Sequence, residues 1–239
     1  MNFSIRKCKA VFIKDLKEYY RSPAILAVLI MPIFYCLLYM TIFANDTNIK
    51  FGTFLINFCV DTNVLLPSMT IPTQFICEEK EKKTLDVLIL SSVSPSEFLV
   101  GKLSPIILLS IISNIIIFSI INISSTYIVP FLVITMITTL SFIIIGSIIG
   151  FVCNTPSQAT MYLMPIITVL FFIPPMSLFS KTVEKFSHIL GISQMNIIVQ
   201  NIISGKGLFY SKISLFVILI WILIPFTIFS YIYKHKKLY

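Results

Sequence analysis

The chain has 239 residues, of which 57% are hydrophobic and only 12% charged, against about 25% charged in a soluble globular domain. Its mean hydropathy is +0.96 and several runs reach the roughly 20 apolar residues that cross a bilayer, so a separate soluble domain is excluded and residues 1–239 read as one all-α polytopic membrane domain. The formal charge of +8 lies in clusters between the apolar runs, where it reports topology rather than a nucleic-acid face.

In chain order, residues 4–21 form an amphipathic helix. Ile5, Cys8, Phe12, Leu16 and Tyr19 recur at spacings of three and four. The other positions of residues 1–22 carry six Lys or Arg. Such a helix lies in the interface plane with its basic face toward lipid headgroups, or packs on a partner. Ser22-Pro23 is a helix-start signal, with Ser as N-cap and Pro at the first helical position. Six spans follow, at about 24–44, 52–76, 103–122, 128–152, 158–178 and 213–233. Short polar turns separate most of them. One, Asn154-Thr155-Pro156-Ser157, repeats the cap-and-proline start. Residues 180–212 are too polar to span and too apolar to float free.

The distribution of Lys and Arg orients the spans. With the N-terminus inside, the inner segments 1–22, 78–102 and 234–239 hold six, four and three, thirteen together. The outer positions hold five: Lys50, Lys181, Lys185, Lys206 and Lys212. Both termini and residues 78–102 are therefore expected in the cytoplasm, and 180–212 outside. The Ile, Phe, Asn and Lys usage is of the kind AT-rich bacterial genomes give, which suggests a bacterial plasma membrane.

Residues 78–102 are the most informative stretch. Glu78-Glu79-Lys80-Glu81-Lys82-Lys83-Thr84 interrupts two apolar runs, and so much charge is too costly to lie in lipid. The glutamates favour a helix N-terminus. Leu85, Leu88 and Ile89 form an apolar stripe at helical spacing, suited to a groove on a soluble partner. Pro95, in Ser94-Pro95-Ser96-Glu97, starts another helix, and Gly101-Lys102 precedes the third span.

This stretch resembles the cytoplasmic signature of ABC-2 type transporter permeases. That signature runs roughly Glu-x-Glu-x-Gly-Thr-Leu-Glu, two leucines, a Ser/Thr-Pro step, a Glu and Gly-Lys. Glu79, Glu81, Thr84, Leu85, Asp86, Leu88, Glu97, Gly101 and Lys102 match it, and the spacing from Thr84 to Lys102 has no gap. Two positions depart: Lys83 stands where the family usually has Gly, and Ser92 where it usually has Pro.

The resemblance implies a permease that docks a separate ABC ATPase through the N-terminal helix and residues 78–102, with short re-entrant helices in the outer segment between spans 5 and 6. It further implies a second permease copy or a sister permease, and mostly export. Peptides (antimicrobial ones among them), drugs, lipids or ions are the candidate cargoes, and the apolar interior suggests an amphiphile. ATP and Mg would be used by the partner, because this chain has no G-x-x-x-x-G-K-[ST] loop.

Other residues are less decisive. Asp61 sits in span 2 beside Asn57, Thr62 and Asn63. A carboxylate at a helix centre costs about 2.5–3.5 kcal/mol, so these polar residues line a path or a dimer seam, unless the span begins late and Asp61 lies near the outer headgroups. Pro67 and Pro72 are expected to kink this span. Gly146 and Gly150 set a close helix–helix contact, within one subunit or at the dimer seam. Pro174-Pro175 is expected to turn the chain. The five cysteines read as free structural thiols. His188 and His235 lack the neighbours of a metal site, and no nucleophile-and-base set supports an enzyme. The rival class is a secondary transporter or a membrane immunity protein without an ATPase. Ion coupling in the former requires intramembrane ionisable groups, for which Asp61 is the candidate.

Overall fold

The computed structural model describes residues 5–42, 49–83, 95–121, 125–177, 180–207 and 210–236. Among these the chain is all-α: α1 Ile5–Arg21, α2 Pro23–Ile42, α3 Ile49–Glu81, α4 Pro95–Ile120, α5 Ile128–Val152, α6 Pro156–Met176, α7 Lys181–Ser187, α8 Gly191–Ile203 and α9 Lys212–Lys236. A 3-10 turn at Ser125–Tyr127 leads into α5. Five helices are long and apolar enough to cross a membrane: α2, α3, α5, α6 and α9. The remaining expected span lies within α4, whose apolar portion, Ser104–Ile120, is shorter.

The helices pack around α3, which touches α5 most extensively and also α2, α4, α6 and α8. In its apolar stretch 78% of residues are buried, against 22% in α2 and α9. The outer helices instead present large apolar side chains such as Phe34 on α2, Phe172 on α6 and Phe216 on α9. Soluble monomers rarely expose so much apolar surface; lipid is its solvent here.

Polar residues go to the interior. The hydroxyls of Thr138, Thr139 and Ser147 donate to the carbonyls of Ile134, Thr135 and Ile143, one turn back, at 2.9, 2.7 and 2.8 Å. Such back-bonding satisfies a hydroxyl within its own helix at membrane depth.

Gly146 and Gly150 both face α3 of the same chain. A Cβ on Gly146 would lie 2.6 Å from the carbonyl oxygen of Met69, and one on Gly150 3.0 Å from that of Thr73. The Thr73 hydroxyl lies 2.6 Å from the Gly146 carbonyl oxygen, and Cys77 Sγ 3.6 Å from that of Gly150. The α3 row Met69-Thr73-Cys77, spaced by four, therefore seats its polar tips on the α5 backbone that the missing side chains expose.

Several expected boundaries move. The second span was expected to stop near residue 76, yet α3 runs unbroken through Pro67 and Pro72 to Glu81. Glu78 and Glu79 therefore sit at a helix C-terminus, not at the start of one. Helix-favouring Glu and Lys, with a Glu78–Lys82 pair at 3.1 Å, continue the helix past its apolar stretch. With 33 residues, α3 is about 50 Å long and exceeds a hydrocarbon core of about 30 Å.

Helix α4 does begin at Pro95, but it runs on through Gly101 into the apolar stretch instead of restarting there. Packing of α1 along α4 outweighs the roughly 1 kcal/mol propensity cost of a mid-helix glycine. Pro174 and Pro175 lie inside the last turn of α6, which continues to Met176.

Helix α1 also differs in its facing. Asp15 and Tyr19 are buried, with the Tyr19 ring 4.9 Å from that of Phe75 on α3. Leu16, expected in the apolar stripe, is exposed together with Ile13 and Tyr20. The inner face of α1 meets the end of the bundle, and the second apolar row faces outward. Cys36, Cys59, Cys77 and Cys153 are buried thiols outside any disulfide.

Candidate functional site

Two sets of residues on α3 carry chemistry. The first is a buried polar stretch toward its N-terminal half. Asn57 and Asp61, one turn apart, are both buried, Asp61 to 1% exposure. The Asn196 side-chain amide on α8 donates to Asp61 Oδ2 at 2.9 Å, so protein surrounds Asp61. Helix α8 has 13 residues, about 20 Å, too short to span. It packs on α5, α6, α9 and, lightly, α3.

Asn63 does not join this group. Its amide donates to Asn114 Oδ1 on α4 at 2.8 Å, and Asn114 in turn donates to Thr135 Oγ1 on α5 at 3.3 Å. The adjacent polar residues therefore serve two different networks on different sides of the helix.

The second set is at the other end of α3. The Lys14 ammonium on α1 lies 3.0 Å from Glu79 Oε1, and the Glu79 side chain is only 6% exposed. Lys80 turns the other way and donates to the carbonyls of Phe151 and Cys153 at the end of α5. A cation there complements both the unpaired carbonyls and the negative end of the helix dipole. One turn thus pins α3 to α1 with Glu79 and to α5 with Lys80, while Glu81 is exposed.

Lys83 follows at φ 55, the left-handed conformation, with its N–H donating to the Lys80 carbonyl at 3.0 Å. This is the helix-terminating geometry that favours glycine. The preference for Gly here in the resembling signature therefore has a backbone cause, and Lys83 adopts the same geometry without one.

Thr84, Leu85, Asp86 and Leu88 lie outside the described residues. Glu97 and Lys102 are placed on the N-terminal turns of α4 by its backbone, and Gly101 is buried.

The family model for the ABC-2 type transporter matches residues 6–199. The chain belongs to the ABC-2 type transporter family. It is a membrane permease component of ABC-type transport. No curated protein matches the chain.

The matched region runs from α1 into α8, so it contains both the joint and the Asp61–Asn196 contact. Three residues of these contacts escaped sequence reasoning. Lys14 is one of six basic residues in its segment, Asn114 follows Ser113 in an isoleucine-rich run, and Asn196 lies in the stretch too polar to span. No local pattern singles any of them out, because their partners lie on other helices.

Proposed function

We propose that this permease pairs with a second copy or a sister permease and with two separate ABC ATPase subunits, and that it exports an amphiphile from the cytoplasm or inner leaflet. In this reading residues 78–102 face the cytoplasm and are gripped by the ATPase, which uses ATP and Mg. The observation that carries it is the joint at Glu79 and Lys80. A displacement applied just beyond Glu81 enters α3 directly. Through Lys14 and the α5 carbonyls it is shared with α1 and α5. Helix α3 also bears Asn57 and Asp61, so movement at the coupling end re-aims the polar stretch near the other. The coupling energy enters as a contact that differs between the ATP-bound and free states of the ATPase.

The buried position of Glu79 divides the labour among the signature residues. Glu79 transmits between helices. Glu81, with Leu85 and Leu88 beyond it, supplies the surface that the ATPase holds. Exposed Ile13, Leu16 and Tyr20 on α1 give that helix an apolar row for the lipid boundary beside the joint.

Purification in mild detergent followed by mass spectrometry is expected to recover an ABC ATPase whose hydrolysis is stimulated by substrate. The double substitution Glu81→Lys with Leu85→Ala should release it and leave the permease in the membrane. Retention of the ATPase with unchanged stimulation would remove the coupling role. Transport that persists in vesicles without any ATPase would establish the secondary-transporter class instead.

A further inference from the structure

Two cavities meet at His188 and differ sharply in character. The first, about 160 Å³, lies between the end of α6, α7, α8 and α3, with Asn57, Glu184, Ser193 and Asn196 in its wall. The second, about 460 Å³, is a groove against α9 walled by Ile189, Val217, Ile220, Trp221 and Ile224. Gly191 sets the shape of the junction. A Cβ there would lie 3.0 Å from the Trp221 ring, so glycine lets α9 close on α8, and the indole N–H donates to the Ile189 carbonyl at 2.8 Å.

The polar wall is short of donors. Asn57 Oδ1, Ser193 Oγ and Asn196 Oδ1 are buried and have no hydrogen-bond partner, and the three residues are 9%, 5% and 4% exposed. The Asn196 amide nitrogen is engaged by Asp61 Oδ2, which leaves its own Oδ1 without a donor. Behind it, Asp61 Oδ1 is likewise unpartnered. A buried acceptor left without a donor is destabilising, and a buried carboxyl with a single amide partner is stabilised by a cation nearby. Among the described residues lining the polar cavity none is Lys or Arg, and Glu184 is its carboxylate.

We propose that the two cavities form one binding site for a cationic amphiphile. Its primary ammonium sits against Asn57, Ser193 and Asn196, with Asp61 behind Asn196 supplying the negative charge, and its apolar body lies in the groove along Trp221. Three N–H donors on one positive nitrogen supply what the orphaned oxygens lack, and charge assistance strengthens each bond. An inorganic cation would answer the polar wall but leave the adjoining groove without a role. That this ligand is the transported cargo rests on the permease reading above.

The test uses the full chain in nanodiscs of zwitterionic lipid. Trp221 is the chain's single tryptophan, so bromine-carrying probes report contact with the groove by quenching it. Saturable quenching by ω-bromodecylammonium is expected. Binding should be about tenfold weaker or worse for the trimethylammonium analogue, which has no N–H donors, and for ω-bromodecanol, which has no charge. Asp61→Asn and, separately, Ser193→Ala should weaken the ammonium probe and leave the alcohol unchanged.

Equal affinity for the alcohol and the ammonium would overturn the proposal, as would an Asp61→Asn protein that binds the ammonium as tightly as before. Displacement by sodium chloride but not by choline chloride at equal ionic strength would identify an inorganic cation and overturn it too. The probe series on the unmodified chain decides the matter even where a variant does not fold. Loss of probe binding with ATPase pairing intact would remove this substrate class and leave the permease reading standing.

Discussion

At the residue scale, Gly146 and Lys83 make opposite demands on the backbone. Gly146 is required by space: a Cβ would meet Met69 backbone at 2.6 Å, and backbone cannot rotate away as a side chain can. Alanine at this helical position would gain about 1 kcal/mol in propensity, but overpacking of this kind costs about 1–3 kcal/mol. Gly146→Ala is therefore expected to lower the detergent-solubilised melting temperature, and Gly146→Val to lower it further. An unchanged melt for both would mean that α3 and α5 do not approach as closely as described.

Lys83 is the reverse case, a side chain where glycine would be easier. Relief of its left-handed strain is worth about 1–2 kcal/mol, part of which is offset by the added freedom of glycine in the unfolded chain. Lys83→Gly should increase hydrogen-exchange protection in the last turn of α3 without shifting the remaining helices. Faster exchange there would contradict a strained turn.

At the scale of elements, α3 is the member on which α2, α4, α5 and α6 pack. Its end is held by Lys80 on the α5 carbonyls and by Glu79 on Lys14. Lys80→Met keeps the length of the side chain and removes the charge. It should cost about 1–2 kcal/mol, the range for a partly buried cation at a helix end, and should reduce substrate-stimulated ATP hydrolysis more than ATPase binding. Binding and stimulation falling together would make Lys80 part of the docking surface instead.

Helix starts were legible in the sequence because their chemistry is local. Thr155 Oγ1 accepts from the Gln158 N–H at 3.3 Å, and Gln158 Oε1 accepts from the Asn154 N–H at 3.1 Å, with Pro156 opening α6. Helix ends near charges were not legible. Glu78–Glu81 reads as a new helix start in isolation, and only Lys14, sixty-five positions away in sequence, together with the α5 terminus explains why α3 continues through it.

At the scale of the whole molecule, lipid imposes the rules that make such a chain readable. Backbone groups must be satisfied within helices, so spans announce themselves as apolar runs, and the distribution of Lys and Arg orients them. The interior is a different problem. The partners of Asp61 and Asn63 lie 135 and 51 positions away, on helices whose facing depends on packing that no periodicity encodes. Hence the sequence pointed to Asn57, Asp61 and Asn63 as one patch, whereas the fold assigns Asp61 to α8 and Asn63 to α4.

The proposed mechanism depends on which side of the membrane the end of α3 occupies. Lys82 and Lys206 are both exposed and belong to opposite faces of the proposed topology. The direct measurement is labelling of single Lys82→Cys and Lys206→Cys proteins in intact cells with a membrane-impermeant maleimide, against the unsubstituted chain. Labelling of Lys206→Cys in intact cells, and of Lys82→Cys only after permeabilisation, is predicted. Labelling of Lys82→Cys from outside would contradict it, because an ATPase in the cytoplasm could not then reach the coupling segment.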